Sequence, residues 1–183
     1  MAIEPKIQHS LLTEYSFWLL PAEPLRAVLY SIIQELADTF TGVYFEPHVT
    51  ISCGPSSNDE SLALAREIAS QFTPVELTPT GLDHTNLYTK TLFIQFEESA
   101  SLREMSVHIR KHSSRPSSYL LNPHLSLLYK IAPLETRTKI GQTLRVPKGI
   151  YRFDRLKVIE TEIPLTQPEQ IKRWRTVFES KLS

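Results

Sequence analysis

Apolar and polar positions along this chain follow two rhythms, and their order predicts a succession of strands and helices. Residues 1 to 14 show neither rhythm and read as a leader with little structure. Tyr15 to Leu20 is an aromatic and aliphatic run stopped by Pro21, which predicts a strand. After Pro24, the residues Leu25, Val28, Leu29, Ile32, Ile33 and Leu36 recur at helical spacing. They predict a helix to about Phe40, ended at Thr41-Gly42. Val43 to Cys53 reads as a strand broken by Gly54-Pro55. Ser57 or Asn58 then caps a helix to about Phe72, with Asp59 and Glu60 in its first turn. Val75–Asp83 and Leu87–Phe96 read as two strands around a polar turn. Ser99 caps a helix striped by Leu102, Met105 and Ile109, and a polar loop runs from His112 to Ser118. Leu120–Tyr129 is a strand, Pro133–Leu144 a short helix, and Lys148–Thr161 contains a long strand. In the tail from Gln170 to Leu182, helical and strand periods both fit.

Within this pattern one tetrad occurs twice. His48-Val49-Thr50-Ile51 and His124-Leu125-Ser126-Leu127 each read His, apolar, hydroxyl, apolar, and each follows a proline, Pro47 or Pro123. Side chains of a strand alternate between its faces. Each tetrad therefore shows an imidazole beside a hydroxyl on one face and two apolar side chains on the other. The histidines stand 76 positions apart, and the same offset sets Phe17 on Phe93, Trp18 on Ile94, Leu20 on Phe96, Leu29 on Met105 and Ile33 on Ile109. Strand, amphipathic helix and Pro-His strand thus recur in one order. Two copies are too few for a solenoid. They suit two half-domains about a pseudo-two-fold axis, with the tetrads meeting at it. The expected fold is α+β, a bilobal domain of duplicated strand–helix–strand halves with antiparallel sheets around a central cleft. The domain is expected to span residues 15 to 183. Its halves cover about 15–83 and 87–161, with interleaved lobes.

Composition narrows the function. A chain of 183 residues is long enough for a proper core. Lys plus Arg (20) equals Asp plus Glu (20), which argues against a dedicated duplex-binding protein. The one cysteine, Cys53, excludes an intramolecular disulfide and a cysteine-rich metal framework. The N-terminus has no secretory pattern, and no apolar run approaches the roughly 18–20 residues of a membrane span. The expectation is a soluble, cytoplasmic monomer without membrane contact. With 5 glycines and no glycine-rich phosphate loop or nucleophile elbow, nucleotide binding by those routes is not expected.

Two imidazoles facing one cleft can remove a proton from water and deliver one to a leaving oxygen near neutral pH. The hydroxyls of Thr50 and Ser126 can hydrogen-bond non-bridging phosphate oxygens. His48 and His124 are the candidate catalytic residues. Trp18 and Tyr151 (and Trp174) are candidates for stacking a base, set against burial in the core. Arg115, with Arg110 and Lys111, is a candidate clamp for a second phosphate, set against a solvated charge run. His108 and His112 have metal-ligand spacing on a helix but no third ligand, so they read as part of a basic face. No metal or cofactor is expected. Cys53 reads as packing rather than a nucleophile.

The paired tetrads resemble those of the two-histidine (2H) phosphoesterase superfamily. Within it the chain is most similar to the plant and fungal cyclic phosphodiesterases. The similarity lies in Tyr15 to Pro21, Phe45 to Ile51, Thr91 to Phe96 and Asn122 to Tyr129. The resemblance implies metal-independent opening of cyclic phosphates. Nucleoside 2′,3′-cyclic phosphates would yield 2′-phosphates, and ADP-ribose 1″,2″-cyclic phosphate would yield the 1″-phosphate. It implies His124 as base and His48 as acid, and it implies that Tyr129 reaches the phosphate. Since alternation puts Tyr129 opposite His124, the strand must bulge or end to turn it inward. The expected partner is a small cyclic-phosphate nucleotide. RNA ends or oligonucleotides handled by the same chemistry, and a non-catalytic nucleotide sensor, are the competing readings.

Overall fold

The computed structural model describes residues 12 to 183. Most of the expected leader lies outside these residues. Its last part does not behave as a leader, because the first strand already begins at Leu12. In chain order the elements are β1 (Leu12–Pro21), α1 (Leu25–Phe40), β2 (Val49–Gly54), α2 (Asn58–Gln71), β3 (Val75–Leu77) and β4 (Pro79–His84). A short 3-10 turn, Tyr88–Lys90, leads to β5 (Leu92–Phe96), α3 (Ala100–His112), β6 (His124–Leu128) and α4 (Leu134–Thr143). The chain closes with β7 (Tyr151–Ile163), α5 (Pro168–Lys172) and β8 (Arg175–Lys181). The ambiguous tail is thus a short helix followed by a strand.

Local chemistry explains most boundaries. Ser57 caps α2 by accepting from Glu60 N at 3.2 Å, and Ser99 caps α3 by accepting from Leu102 N at 3.1 Å. Thr41, with φ 55°, turns the chain out of α1. The two tetrad strands are shorter than the sequence predicts. They begin at Val49 and His124 rather than near Val43 and Leu120. Pro47 and Pro123 have no N–H to give a ladder, so hydrogen-bonded pairing starts after each of them. The stretch from Val75 to Asp83 likewise divides at Thr78-Pro79 into β3 and β4.

All pairings are antiparallel, and the sheet runs β3-β7-β1-β2-β6-β5-β4, with β8 also on β7. The halves join where β2 meets β6, at Val49 opposite Leu125. Thr78 alone connects β3 and β4, which stand at opposite ends of this order. The sheet is therefore bent until its ends approach, and Phe96 of β5 packs against Tyr151 and Phe153 of β7.

Alternation sends Phe17, Leu19, Val49, Ile51, Leu125 and Leu127 into the main core beneath the helices. Each fully buried side chain of this kind contributes about 1.5–3 kcal/mol. The helices cross over: α1, from the first half, packs on β6, and α3, from the second, packs on β2. Each half thus covers the apolar back of the other half's tetrad. The duplication also carries a one-residue slip. Trp18 lies opposite Thr50, and Phe93 lies opposite Ser126. The structural counterpart of Phe93 is therefore Trp18, at an offset of 75, and not Phe17. Phe17 belongs to the helix-side core, whereas Trp18 forms a separate small cluster with Leu20 and Ile159 on the other face. A slip of one residue exchanges faces, so the uniform offset misassigned this strand.

Candidate active site

The face of the sheet away from the helices carries a cavity of about 190 Å³. Both tetrads contribute to its lining, through His48 and Thr50 on one side and His124 and Ser126 on the other. Trp18, Tyr129 and Trp174 add aromatic walls.

The two histidines are held alike. Pro47 and Pro123 bias the residues before them, Glu46 and Asn122, toward extended backbone. That conformation carries each preceding carbonyl back to the imidazole. His48 Nδ1 lies 2.6 Å from Glu46 O, and His124 Nδ1 lies 2.7 Å from Asn122 O. A carbonyl only accepts, so each Nδ1 carries the proton and donates it, and each Nε2 is left with its lone pair for chemistry. His48 is buried, and His124 is partly exposed. Burial disfavours the charged ring in both and depresses each pKa to about 4. The Glu46 carbonyl and carboxylate oppose this at His48. At His124 the Asn122 carbonyl opposes it, and the nearby Lys90 ammonium adds to the depression. Both rings are neutral in the empty site near neutral pH, and an anion between them would favour their protonation.

Thr50 lies in β2, and its backbone carbonyl accepts from Tyr119 Oη at 2.8 Å. Ser126 is buried and donates to Thr89 O at 2.8 Å. Tyr129 is the first residue past the end of β6. The register of β6 on β5 slips by one residue between Ser126 and Leu128, so Leu127 and Leu128 both enter the core and Tyr129 comes to the cavity side. Its ring stacks on Phe45 with centroids 3.8 Å apart, and its hydroxyl lies beside that of Ser126. Burial pushes the Tyr129 phenol above its usual range, so it stays a donor. The expected inward turn is thus made by a bulge of β6 against β5, at the very end of the strand.

Three other candidate residues take different places. Trp18 lines the cavity but is 3% exposed. One face of its indole is stacked on His48, centroids 3.7 Å apart and planes 10° from parallel, and Trp174 meets it edge-on at 5.0 Å. It supports the His48 ring and offers no free face for a base. Tyr151 is buried where the ends of the sheet meet, donating to Pro147 O at 2.8 Å, and does not reach the cavity. Arg115 is exposed in the loop after α3, beside Tyr15, Phe17 and Ile109 of the helix side, and also lies off the cavity. Bending of the sheet places Tyr151 at the seam of its ends, and Arg115 stands in a loop that no strand alternation governs. Sequence reasoning also missed cavity residues: Thr89, Tyr119, Thr161, Ile163 and Leu165. The alternation of Ile159, Thr161 and Ile163 along β7 carries a signal for two of them. Nothing local marks Tyr119, which a long loop delivers.

Cys53 reaches the cavity rim, but burial and Glu14, 3.2 Å from Sγ, push its thiol far up, so it is no nucleophile. His108 pairs with Glu67 at 3.1 Å, and its ring lies 4.2 Å from that of His112. Among the described residues no cluster of three or more His, Cys, Asp or Glu suits a metal ion. No helix among them is long and apolar enough to cross a membrane.

Comparison with known proteins adds the following. No family model matches the chain. A curated cyclic phosphodiesterase of Arabidopsis thaliana is 22% identical over 169 residues, covering 89% of this chain and 92% of that protein. Among solved structures, Escherichia coli LigT complexed with 3′-AMP superposes with a TM-score of 0.55 at 16% identity, covering 93% of this chain and 98% of LigT. TT0787 of Thermus thermophilus superposes with a TM-score of 0.59 at 15% identity, covering 92% of this chain and 97% of TT0787. The fold is shared along nearly the whole of each chain.

Proposed function

We propose that this chain, a phosphodiesterase of the two-histidine phosphoesterase superfamily, opens cyclic phosphates on small nucleotides without a metal. The observation that carries the reading is the matched pair of imidazoles. Each is fixed through Nδ1 to the carbonyl two residues back, and both line one cavity.

The reaction then runs in line. With a 2′,3′-cyclic phosphate between the rings, His124 Nε2 takes a proton from water as the water oxygen attacks phosphorus. The bond to the 3′-oxygen breaks, and that oxygen takes the proton of His48, leaving the phosphate on the 2′-oxygen. The Thr50 and Tyr129 hydroxyls, and that of Ser126 once it turns from Thr89 O to the phosphate, stabilise the non-bridging oxygens where charge builds. An anionic phosphate supplies the countercharge that the buried rings lack in the empty site, so substrate binding itself loads the acid with its proton. ADP-ribose 1″,2″-cyclic phosphate offers the same five-membered ring and would open to the 1″-phosphate. The size of the cavity suits the cyclic phosphate and its ribose, with the base toward the open side. The neutral net charge of the chain favours such a compact substrate over a long RNA track.

The test is incubation with 2′,3′-cyclic AMP in EDTA, with 2′-AMP resolved from 3′-AMP, alongside His48→Ala and His124→Ala. Release of 2′-AMP, lost in both variants, supports the reading. No turnover by the folded protein, or turnover abolished by EDTA, overturns it and turns attention to oligonucleotide substrates.

A further inference from the structure

The tetrads are nearly interchangeable in sequence, yet the residues two before each histidine differ. Glu46 and Asn122 each present a backbone carbonyl to an imidazole. The Glu46 side chain does something that Asn122 has no means to do. Its Oε2 accepts from Lys157 Nζ at 2.8 Å, and its Oε1 pairs with Arg26. Lys157 also reaches Glu179 Oε2 at 3.3 Å, and Glu179 pairs with Arg155 at 3.4 Å. One carboxylate thus ties α1, β7 and β8 to the short segment that enters β2. Both Glu46 and Lys157 are mostly shielded from water, at 23% and 15% side-chain exposure, so the pairing is less screened than a surface bridge. The second tetrad is held by neutral groups: Gln95 Nε2 donates to Asn122 Oδ1 at 3.0 Å and to Pro123 O at 2.7 Å. The cation on that side is Lys90, seated 4.2 Å over the Phe93 ring that meets His124 edge-on.

Resting on the reading above, we infer that the Glu46 carboxylate, clamped by Lys157 and Arg26, is the positioning residue that breaks the symmetry of the two tetrads. It makes His48 the ring that holds the proton and leaves His124 as the base. Two effects act together. The clamp fixes the segment whose carbonyl orients His48, and the carboxylate favours the imidazolium of His48 over that of His124. The charged groups around His48 are Glu46 on its own segment, Lys157 on β7 and His124 on β6. Arg26 and Glu179 act on it through the clamp. Lys90, itself close to Asp83, faces His124.

The charges give a test with opposite signs. Glu46→Gln removes the carboxylate and leaves Lys157 beside His48, so the titration of His48 moves down by about one unit. Lys157→Met removes the opposing cation and moves it up. The His48 ring is followed by NMR against pH, assigned with His48→Gln, and the alkaline limb of kcat for 2′,3′-cyclic AMP is recorded in parallel. Expected are a downward shift with about a tenfold loss of kcat near neutrality and unchanged KM for Glu46→Gln, and an upward shift for Lys157→Met. Asn122→Asp gives His124 a carboxylate of its own, and the acid limb should rise. Shifts of the same sign in Glu46→Gln and Lys157→Met, as loosening of the segment alone would give, overturn the inference, as does no shift at all. The NMR arm needs no substrate. A wild type that turns nothing over would count against the proposed function, while the ring titration still decides the role of Glu46.

Discussion

Trp18 and His48 are stacked face to face, with ring centroids 3.7 Å apart, and the Trp18 Nε1 donates to Ser16 Oγ at 2.8 Å. The indole is anchored at its edge and serves as a floor for the imidazole. Trp18→Phe keeps an aromatic surface but loses the anchor, leaving buried Ser16 without its donor. Expected are a stability loss of about 2–3 kcal/mol and a fall in kcat of about tenfold with little change in KM. Urea unfolding and steady-state kinetics measure the two. A rise in KM with kcat intact would instead mean that Trp18 binds substrate.

Stability should fall with acid because of the paired histidines. In the unfolded chain each titrates near 6.5, and in the fold both are depressed to about 4 by burial. Between these values the unfolded state binds more protons than the native state, so stability is fully present above about pH 6.5 and is lost as pH falls toward 4. For buried His48 the loss is on the order of 3 kcal/mol at its limit. His48→Gln should flatten the decline between pH 7 and 5 in thermal melts. An unchanged slope would show that His48 titrates normally.

Ligand binding should take up protons. An anion lodged between neutral rings favours their charged forms. Inorganic phosphate or a nucleotide 2′-phosphate should therefore bind with uptake of about one proton near pH 6.5. Calorimetry in buffers of different ionisation enthalpy measures it. No uptake, or release, would contradict neutral rings in the empty site.

The hydroxyls should act mainly on the transition state. Thr50→Val and Ser126→Ala should each lower kcat by about 10²-fold with smaller effects on KM. Ser126→Ala should cost further stability, because Thr89 O then loses its donor. Equal loss in KM and none in kcat would make them ground-state binders.

Gly54 is the close-approach point between β2 and the loop after α3. A Cβ there would lie 2.7 Å from Ser117 Cβ, and Ser117 itself donates to Cys53 O. The same loop delivers Tyr119, whose hydroxyl bonds Thr50 O at 2.8 Å. Gly54→Ala should destabilise the protein by about 1–3 kcal/mol and raise KM by displacing Tyr119 from the cavity wall. Denaturant midpoints and kinetics check both, and an unperturbed KM would detach the loop from the site.

Most of the elements, though not all their bounds, and the chemistry carried by the two tetrad strands were legible in the linear sequence. The caps Ser57 and Ser99, the apolar stripe of Leu102, Met105 and Ile109, and the His-x-hydroxyl alternation are local features. They act within one or two turns or along one strand, and local features survive in a linear reading. What depended on how strands meet was decided by tertiary structure. The slip that pairs Trp18, not Phe17, with the first tetrad arises from register between β1 and β2. The burial of Tyr151 arises from bending that brings β5 against β7. Tyr129 turns inward because the register between β5 and β6 slips by one residue just before it. The pairing of Glu46 with Lys157 joins residues 111 positions apart, at a distance only the fold can set. Register, bending and long-range charge pairs follow from which surfaces can be buried together, and no local rhythm encodes that choice.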